Sequence, residues 1–143
     1  MADADRALVV AAVEAAVVDA YRDALEQQSV PAELADTVLV LAQHHDEHCT
    51  ALAAVGLQAR SAIVRDEAVF AAVVERLRSG DPRGGLLQTE EGLAATHLQS
   101  LAVLETTDAA AVVASILPVE ARHAVALDPA ALPAVQTTDG ALT

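Results

Sequence analysis

Apolar residues recur at intervals of three and four along most of the chain, and no stretch alternates apolar and polar residues with a period of two. That periodicity belongs to helices with one buried face and argues against strands. It predicts a first helix from Asp3 to about Gln28, with Asp3 or Asp5 near its cap and its acids at the positive end of the helix dipole. The segment Ser29-Val30-Pro31 breaks it. A second helix should carry Pro31 in its first turn, where the missing N–H costs nothing, and continue to about Arg60 with Gly56 as a weak point. Residues 62–79 read as a shorter amphipathic helix holding Phe70. SGDPRGG at 79–85 is the strongest breaker in the chain.

A further helix is expected from Leu86 to Glu105. Thr106, Thr107 and Asp108 should then cap a last one from Ala109 to about Leu127, bent at Pro118, which frees the carbonyl of Ala114. Beyond it, PAALPAVQTTDGALT shows no helical period and reads as an extended or disordered tail. The expectation is an all-α chain, with one helical domain over 1–127 and an irregular tail over 128–143.

Polar residues interrupt the apolar seams in a patterned way. His44, His45, Asp46, Glu47 and His48 are consecutive in a helix otherwise rich in Leu, Ala and Val, and at about 100° per residue they wrap around it. A 4-3-4 seam through that helix reads Leu41, His45, His48, Leu52, which turns His45 and His48 inward and leaves His44, Asp46 and Glu47 as a solvated face. The same spacing gives Val10, Glu14, Val17, Tyr21 in the first helix and Glu90, Ala94, His97, Leu101 in the fourth. In the last helix it gives Ile116, Glu120, His123, Leu127. Cys49 turns off the seam and reads as a small apolar residue.

The seams also repeat. Glu14 precedes Tyr21 by the seven residues that separate Glu90 from His97, and 34 residues from Glu14 to His48 match 33 from Glu90 to His123. Two helical hairpins of one layout, joined by the segment around 62–79, would set these side chains about a two-fold pseudo-axis.

A Glu on one helix with Glu-x-x-His on the next, repeated after a long crossover, resembles the ferritin-like superfamily. More narrowly, VEAAVVDAY at 13–21, TEEGLAATH at 89–97 and VEARH at 119–123 are similar to bacterial ferritin-like domain proteins, many of them exported. The resemblance implies a ferritin-like four-helix bundle with a crossover helix between helices 2 and 3. It implies metal ligands at Glu14, His48, Glu90, Glu120 and His123, with His45 where the second motif has a bridging Glu. Tyr21 and His97 would either support ligands through hydrogen bonds or fill the core. An imidazole offers one lone pair to one metal, so three Glu with three His form a softer set than four Glu with two His. The cofactor expected is one or two transition-metal ions (Fe, Mn, Zn or Co), and the family also implies oxidase chemistry. The competing expectation is a metal-free bundle, a structural or interaction module in which three carboxylates balance three imidazolium groups.

Composition narrows the partners. The chain has 143 residues, enough for one core, and 21 acidic against 8 basic residues give a formal net charge of −13. Such a surface repels phosphate backbones, and one Tyr, one Phe and no Trp leave little for base stacking, so nucleic acid is not an expected partner. Glu14 breaks the first apolar run, so neither a signal peptide nor a membrane helix is read there, and no membrane insertion is expected. Location is expected to be cytoplasmic if Met1 is the natural start, and exported if a signal sequence was removed. No helix reads as cage-forming, so a monomer or homodimer is expected rather than a mineral-storing shell.

Overall fold

A computed structural model describes residues 1–128, and among these it contains helices and no strand. The helices are α1 (Asp3–Glu26), α2 (Ala32–Val55), α3 (Glu67–Leu77), α4 (Pro82–Leu101) and α5 (Thr107–Leu127), with one 3₁₀ turn at Arg60–Ala62. The all-α expectation holds. The expected tail, apart from Asp128, lies outside the described residues.

The ends of the helices differ from expectation for local reasons. α2 stops at Val55 rather than Arg60, because Gly56 ends it and Leu57 adopts φ 57°. α1 ends two residues early, with Gln28 at φ 54°. Pro31 stands just before α2 instead of inside its first turn. α3 is shorter than 62–79: Asp66 caps it, its carboxylate accepting from the amides of Ala68 and Val69. α4 begins inside the segment read as a breaker. Pro82 occupies a first-turn position, and the Asp81 carboxylate accepts from the amide of Gly84, so the punctuation starts a helix rather than a loop. It also ends at Leu101, short of Glu105.

The start of α5 is capped from a distance. Thr106 stands at the cap position without using its own side chain there, and α5 starts at Thr107 rather than Ala109. The Asp3 carboxylate accepts from the amides of Glu105 and Thr106 and from the Thr106 hydroxyl. Arg6 also donates to the carbonyl of Val103. The first turn of α1 is thereby tied to the loop that enters α5.

α1 packs along α2 and α4 along α5; α3 lies against α1 and α4, and α2 also meets α5. α1 buries Ala7, Ala11, Ala15, Ala16, Ala20 and Ala24, and such small side chains let helix axes approach closely. One apolar cluster gathers Val17, Tyr21, Val38, Leu41, Leu77, Leu86, Leu93 and Leu127. A second gathers Ala7, Val10, Ala11, Cys49, Leu52, Val113 and Ile116. On α2 and α5 the inward polar residues His45, His48, Glu120 and His123 fall between the two clusters. By length and apolarity α5 is the one described helix able to cross a membrane. Here it lies against α4 and α2, with Glu120 and His123 turned inside.

Gly85 marks where α4 passes close to α3. A methyl group on it would sit 2.6 Å from the carbonyl oxygen of Arg76, whereas one on Gly92 would meet nothing within 4 Å. Gly85→Ala should therefore destabilise the fold by about 1–3 kcal/mol through forced backbone movement. Gly92→Ala should stabilise it by about 0.5–1 kcal/mol through helix propensity. Paired urea melts check both signs.

Candidate metal centre

Each long helix supplies inward ionisable groups at seam positions: Glu14 from α1, His45 and His48 from α2, Glu90 and His97 from α4, Glu120 and His123 from α5. All seven are buried; Glu14, His45, Glu90, His97 and Glu120 show 0% exposure. They converge on one another. His45 lies between two carboxylates, its Nδ1 2.8 Å from Glu14 Oε2 and its Nε2 3.2 Å from Glu90 Oε2. His97 Nε2 is 2.6 Å from Glu14 Oε1. His48 Nδ1 is 3.0 Å from Glu120 Oε1, and His123 Nδ1 is 2.9 Å from Glu90 Oε2.

Tyr21 and His97 exchange partners between helices. Tyr21 donates its hydroxyl to Glu90 Oε1, seven residues before His97, while His97 reaches Glu14, seven residues before Tyr21. Seven residues rise about 10 Å along a helix, so neither side chain can meet the Glu of its own helix. Both meet the other helix's Glu because α1 and α4 run in opposite directions. The equal spacings read from the chain are two rungs of one antiparallel pair.

The groups sort into two sets whose ligand atoms all lie within 4.8 Å of one another: Glu14, His48, His97 and Glu120, and His45, Glu90, Glu120 and His123. Glu120 belongs to both. Its two oxygens are buried and accept no hydrogen bond, and the Nδ1 atoms of His48 and His97 are likewise without one. Glu120 Oε1 does stand 3.0 Å from His48 Nδ1 and 3.7 Å from His45 Nδ1, and Oε2 3.7 Å from His123 Nδ1, so imidazole nitrogens surround the carboxylate at ion-pair range without hydrogen-bond geometry, an arrangement that also suits a cation. The donor set of carboxylate oxygen and imidazole nitrogen matches divalent transition metals.

Burial opposes the charge on every member, but the mutual pairing prevails. Burial alone would raise the Glu14 and Glu90 carboxyls; the charge and hydrogen bonds of His45, with hydrogen bonds to His48 and His97 on Glu14 and the hydrogen bond and charge of His123 on Glu90, hold both below the usual carboxylate range. Burial would lower His45 and His123, yet the neighbouring carboxylates hold both above the usual imidazole value. His48 is raised to about 9 against the same opposition, through Glu120 and Glu14. Burial and then Glu90 push the Tyr21 phenol up, so it stays a donor. Cys49, raised to about 11 mainly by burial, points its Sγ at the carbonyl of Ala11, 3.2 Å away, and acts as a packed apolar residue.

The structure brings together the six residues Glu14, His45, His48, Glu90, Glu120 and His123. His97, read as support or core filling, meets Glu14 through Nε2 as a supporting residue would, and it also falls in one of the two groups of candidate ligands. His44, read as solvated, is half-buried: its ring stacks on His123 with centroids 5.1 Å apart, and its Nδ1 lies 2.8 Å from His123 Nε2. The i, i+4 spacing of His44 and His48, which puts both on one side of α2, was the available signal. Asp46 does face outward, 2.9 Å from Arg60 and 3.5 Å from Arg22, and Glu47 is exposed. No protein-family model, curated protein or solved structure matches the chain.

The pairing fixes a pH window for the metal-free protein. Glu14 and Glu90 are held below their ordinary 4.5, so their contribution is present above that value and is lost as acid protonates them. His45, His48 and His123 are held above 6.5, so theirs is complete below 6.5 and is lost as pH rises through about 9 for His48. Thermal melts of chelator-treated protein should give the highest Tm between pH 4.5 and 6.5 and a steady fall from 6.5 to beyond 9.

Proposed function

We propose that the chain is a ferritin-like four-helix bundle, with α3 as its crossover helix, that binds one or two transition-metal ions in the central Glu/His cluster. Support for the bundle comes from the register of the contacts. Glu14 meets His45 while Ala11 meets Cys49, and Glu90 meets His123 while Arg83 meets the carbonyl of Leu127, so each hairpin is antiparallel. α1 opposes α4 through the Tyr21 and His97 rungs, which leaves α2 and α4 parallel. Two consecutive long helices that run parallel need a connection that spans the length of a helix, and residues 56–81, with α3 among them, supply one.

The observation that carries the metal reading is Glu120, a buried carboxylate whose oxygens lie 3.0 and 3.7 Å from the Nδ1 atoms of His48 and His123 with neither in hydrogen-bond geometry. Glu14, Glu90 and Glu120 would hold the ions together with His45, His48 and His123. A bound ion there acts as a Lewis acid or, for a redox metal, exchanges electrons. Around it, Tyr21 holds one oxygen of Glu90 and His44 faces the outer nitrogen of His123, fixing how both side chains are aimed. The oxidase chemistry of the resembled family depends on a carboxylate bridge, and His45 stands where that carboxylate would be. Metal binding is therefore the core of the proposal.

A second reading has its own observation. His45 meets a carboxylate with each ring nitrogen, so an imidazolium there bridges Glu14 and Glu90 without any ion. On that reading the bundle is a structural or interaction module and ignores chelators.

Protein purified without a nickel column and stripped of metal should show a higher Tm on adding Fe(II), Mn(II), Co(II) or Zn(II). Free ion at one hundred times Kd adds about 2.7 kcal/mol, on the order of 10 °C. No bound ion and an unchanged Tm with every metal would leave the metal-free module. His45→Glu separates the readings further. It adds a fourth buried carboxylate, so it should lower the Tm of the stripped protein and raise Fe(II) affinity by about tenfold or more, with faster Fe(II) oxidation. Isothermal titration and stopped-flow absorbance follow the two effects.

A further inference from the structure

We infer that the cluster is two unlike four-donor subsites sharing Glu120, that His97 is a direct ligand in one of them, and that the ion both favour is a four-coordinate, redox-inert dication such as Zn(II). This inference rests on the metal-binding reading above and specifies its ligands.

The atoms sort themselves. Glu120 turns Oε1 towards His48 Nδ1 at 3.0 Å, with the non-ligating Nδ1 of His45 3.7 Å away, and Oε2 towards His123 Nδ1 at 3.7 Å, so one oxygen is available to each side. On the first side, Glu14 Oε1 lies 2.6 Å from His97 Nε2 and 3.5 Å from His48 Nδ1. With Glu120 Oε1 these make two oxygens and two nitrogens. On the second side, Glu90 Oε2 lies 3.2 Å from His45 Nε2 and 2.9 Å from His123 Nδ1. With Glu120 Oε2 these again make two oxygens and two nitrogens. Donors around a tetrahedral zinc stand about 3.3 Å apart, given bonds of about 2.0–2.1 Å. The donor contacts within the two sets, 2.6–3.7 Å, bracket that spacing.

The atoms left over are mostly accounted for. Glu90 Oε1 accepts from Tyr21, and His123 Nε2 faces His44 Nδ1. His45, bound through Nε2, keeps its Nδ1–H for Glu14 Oε2 at 2.8 Å, which links the two sides by a hydrogen bond. Four protein donors leave no position open for an exchangeable ligand, a feature of structural rather than catalytic zinc sites. Four imidazoles with three carboxylates suit a borderline ion better than a ferric one. His97 is what closes the first shell.

Native mass spectrometry and competition titration of the stripped full chain with Zn(II) test this, with Co(II) as a spectroscopic probe. Wild type should take two ions, and Co(II) should give the intense visible bands of tetrahedral coordination. His97→Ala should bind one ion, with affinity at the other subsite lost by more than about 100-fold, beyond the 10–100-fold that loss of a supporting partner costs. His97→Gln, which keeps a donor for Glu14 but is a poor zinc ligand, should lose the same ion and guards against a folding defect. His123→Ala should lose the opposite ion and leave a different Co(II) spectrum. Two ions in a folded His97→Gln, one ion in wild type, or octahedral Co(II) bands would overturn the subsite assignment while sparing metal binding. No ion in wild type would overturn both.

Discussion

Three carboxylates sealed from water govern this structure. Glu14, Glu90 and Glu120 have no exposed surface, and an ionised carboxylate in that position costs several kcal/mol unless opposite charge or strong donors reach it. Every feature around them answers that cost. Four histidines stand within reach, a tyrosine donates to Glu90, and four helices are held close enough for the contacts to be direct. Apolar clusters on either side exclude water, which strengthens each contact and makes any missing one more expensive.

That compensation is distributed unevenly. Tyr21 and His97 occupy matching places on α1 and α4, yet one brings a phenol that stays protonated and the other an imidazole that can accept as well as donate. The halves are therefore alike in geometry and different in chemistry. His45 adds to the asymmetry, because its ring sits between Glu14 and Glu90 while the pseudo-equivalent residue, Glu120, is a carboxylate lacking hydrogen bonds. His45 is held through both ring nitrogens, whereas Glu120 meets His48 at 3.0 Å outside hydrogen-bond geometry.

That contrast frames the two readings of function. On the metal reading, a dication between the imidazoles would bind Glu120; on the other, a retired centre keeps the acid buried at a standing cost to stability. The second case would be a poor bargain for a domain whose whole net stability is about 5–15 kcal/mol.

Much of this was legible along the chain. The 3.6-residue period set the number and class of helices, and the 4-3-4 seams picked out Glu14, His45, His48, Glu90, Glu120 and His123, because a residue on an apolar seam has nowhere to go but inward. Helix ends were less legible, since Asp81 and Pro82 begin a helix in a segment that reads as a breaker, and α5 is capped by Asp3 from the far end of the chain. Pairing was decided only in three dimensions. Spacing could say that Tyr21 and His97 lie two turns from a Glu, but not that each serves the Glu of the other helix. Nor could it say that His44 turns partly from solvent to stack on His123. Periodicity reports the direction in which a side chain points; the partner it meets depends on the direction and register of the neighbouring helix, which only the packed chain determines.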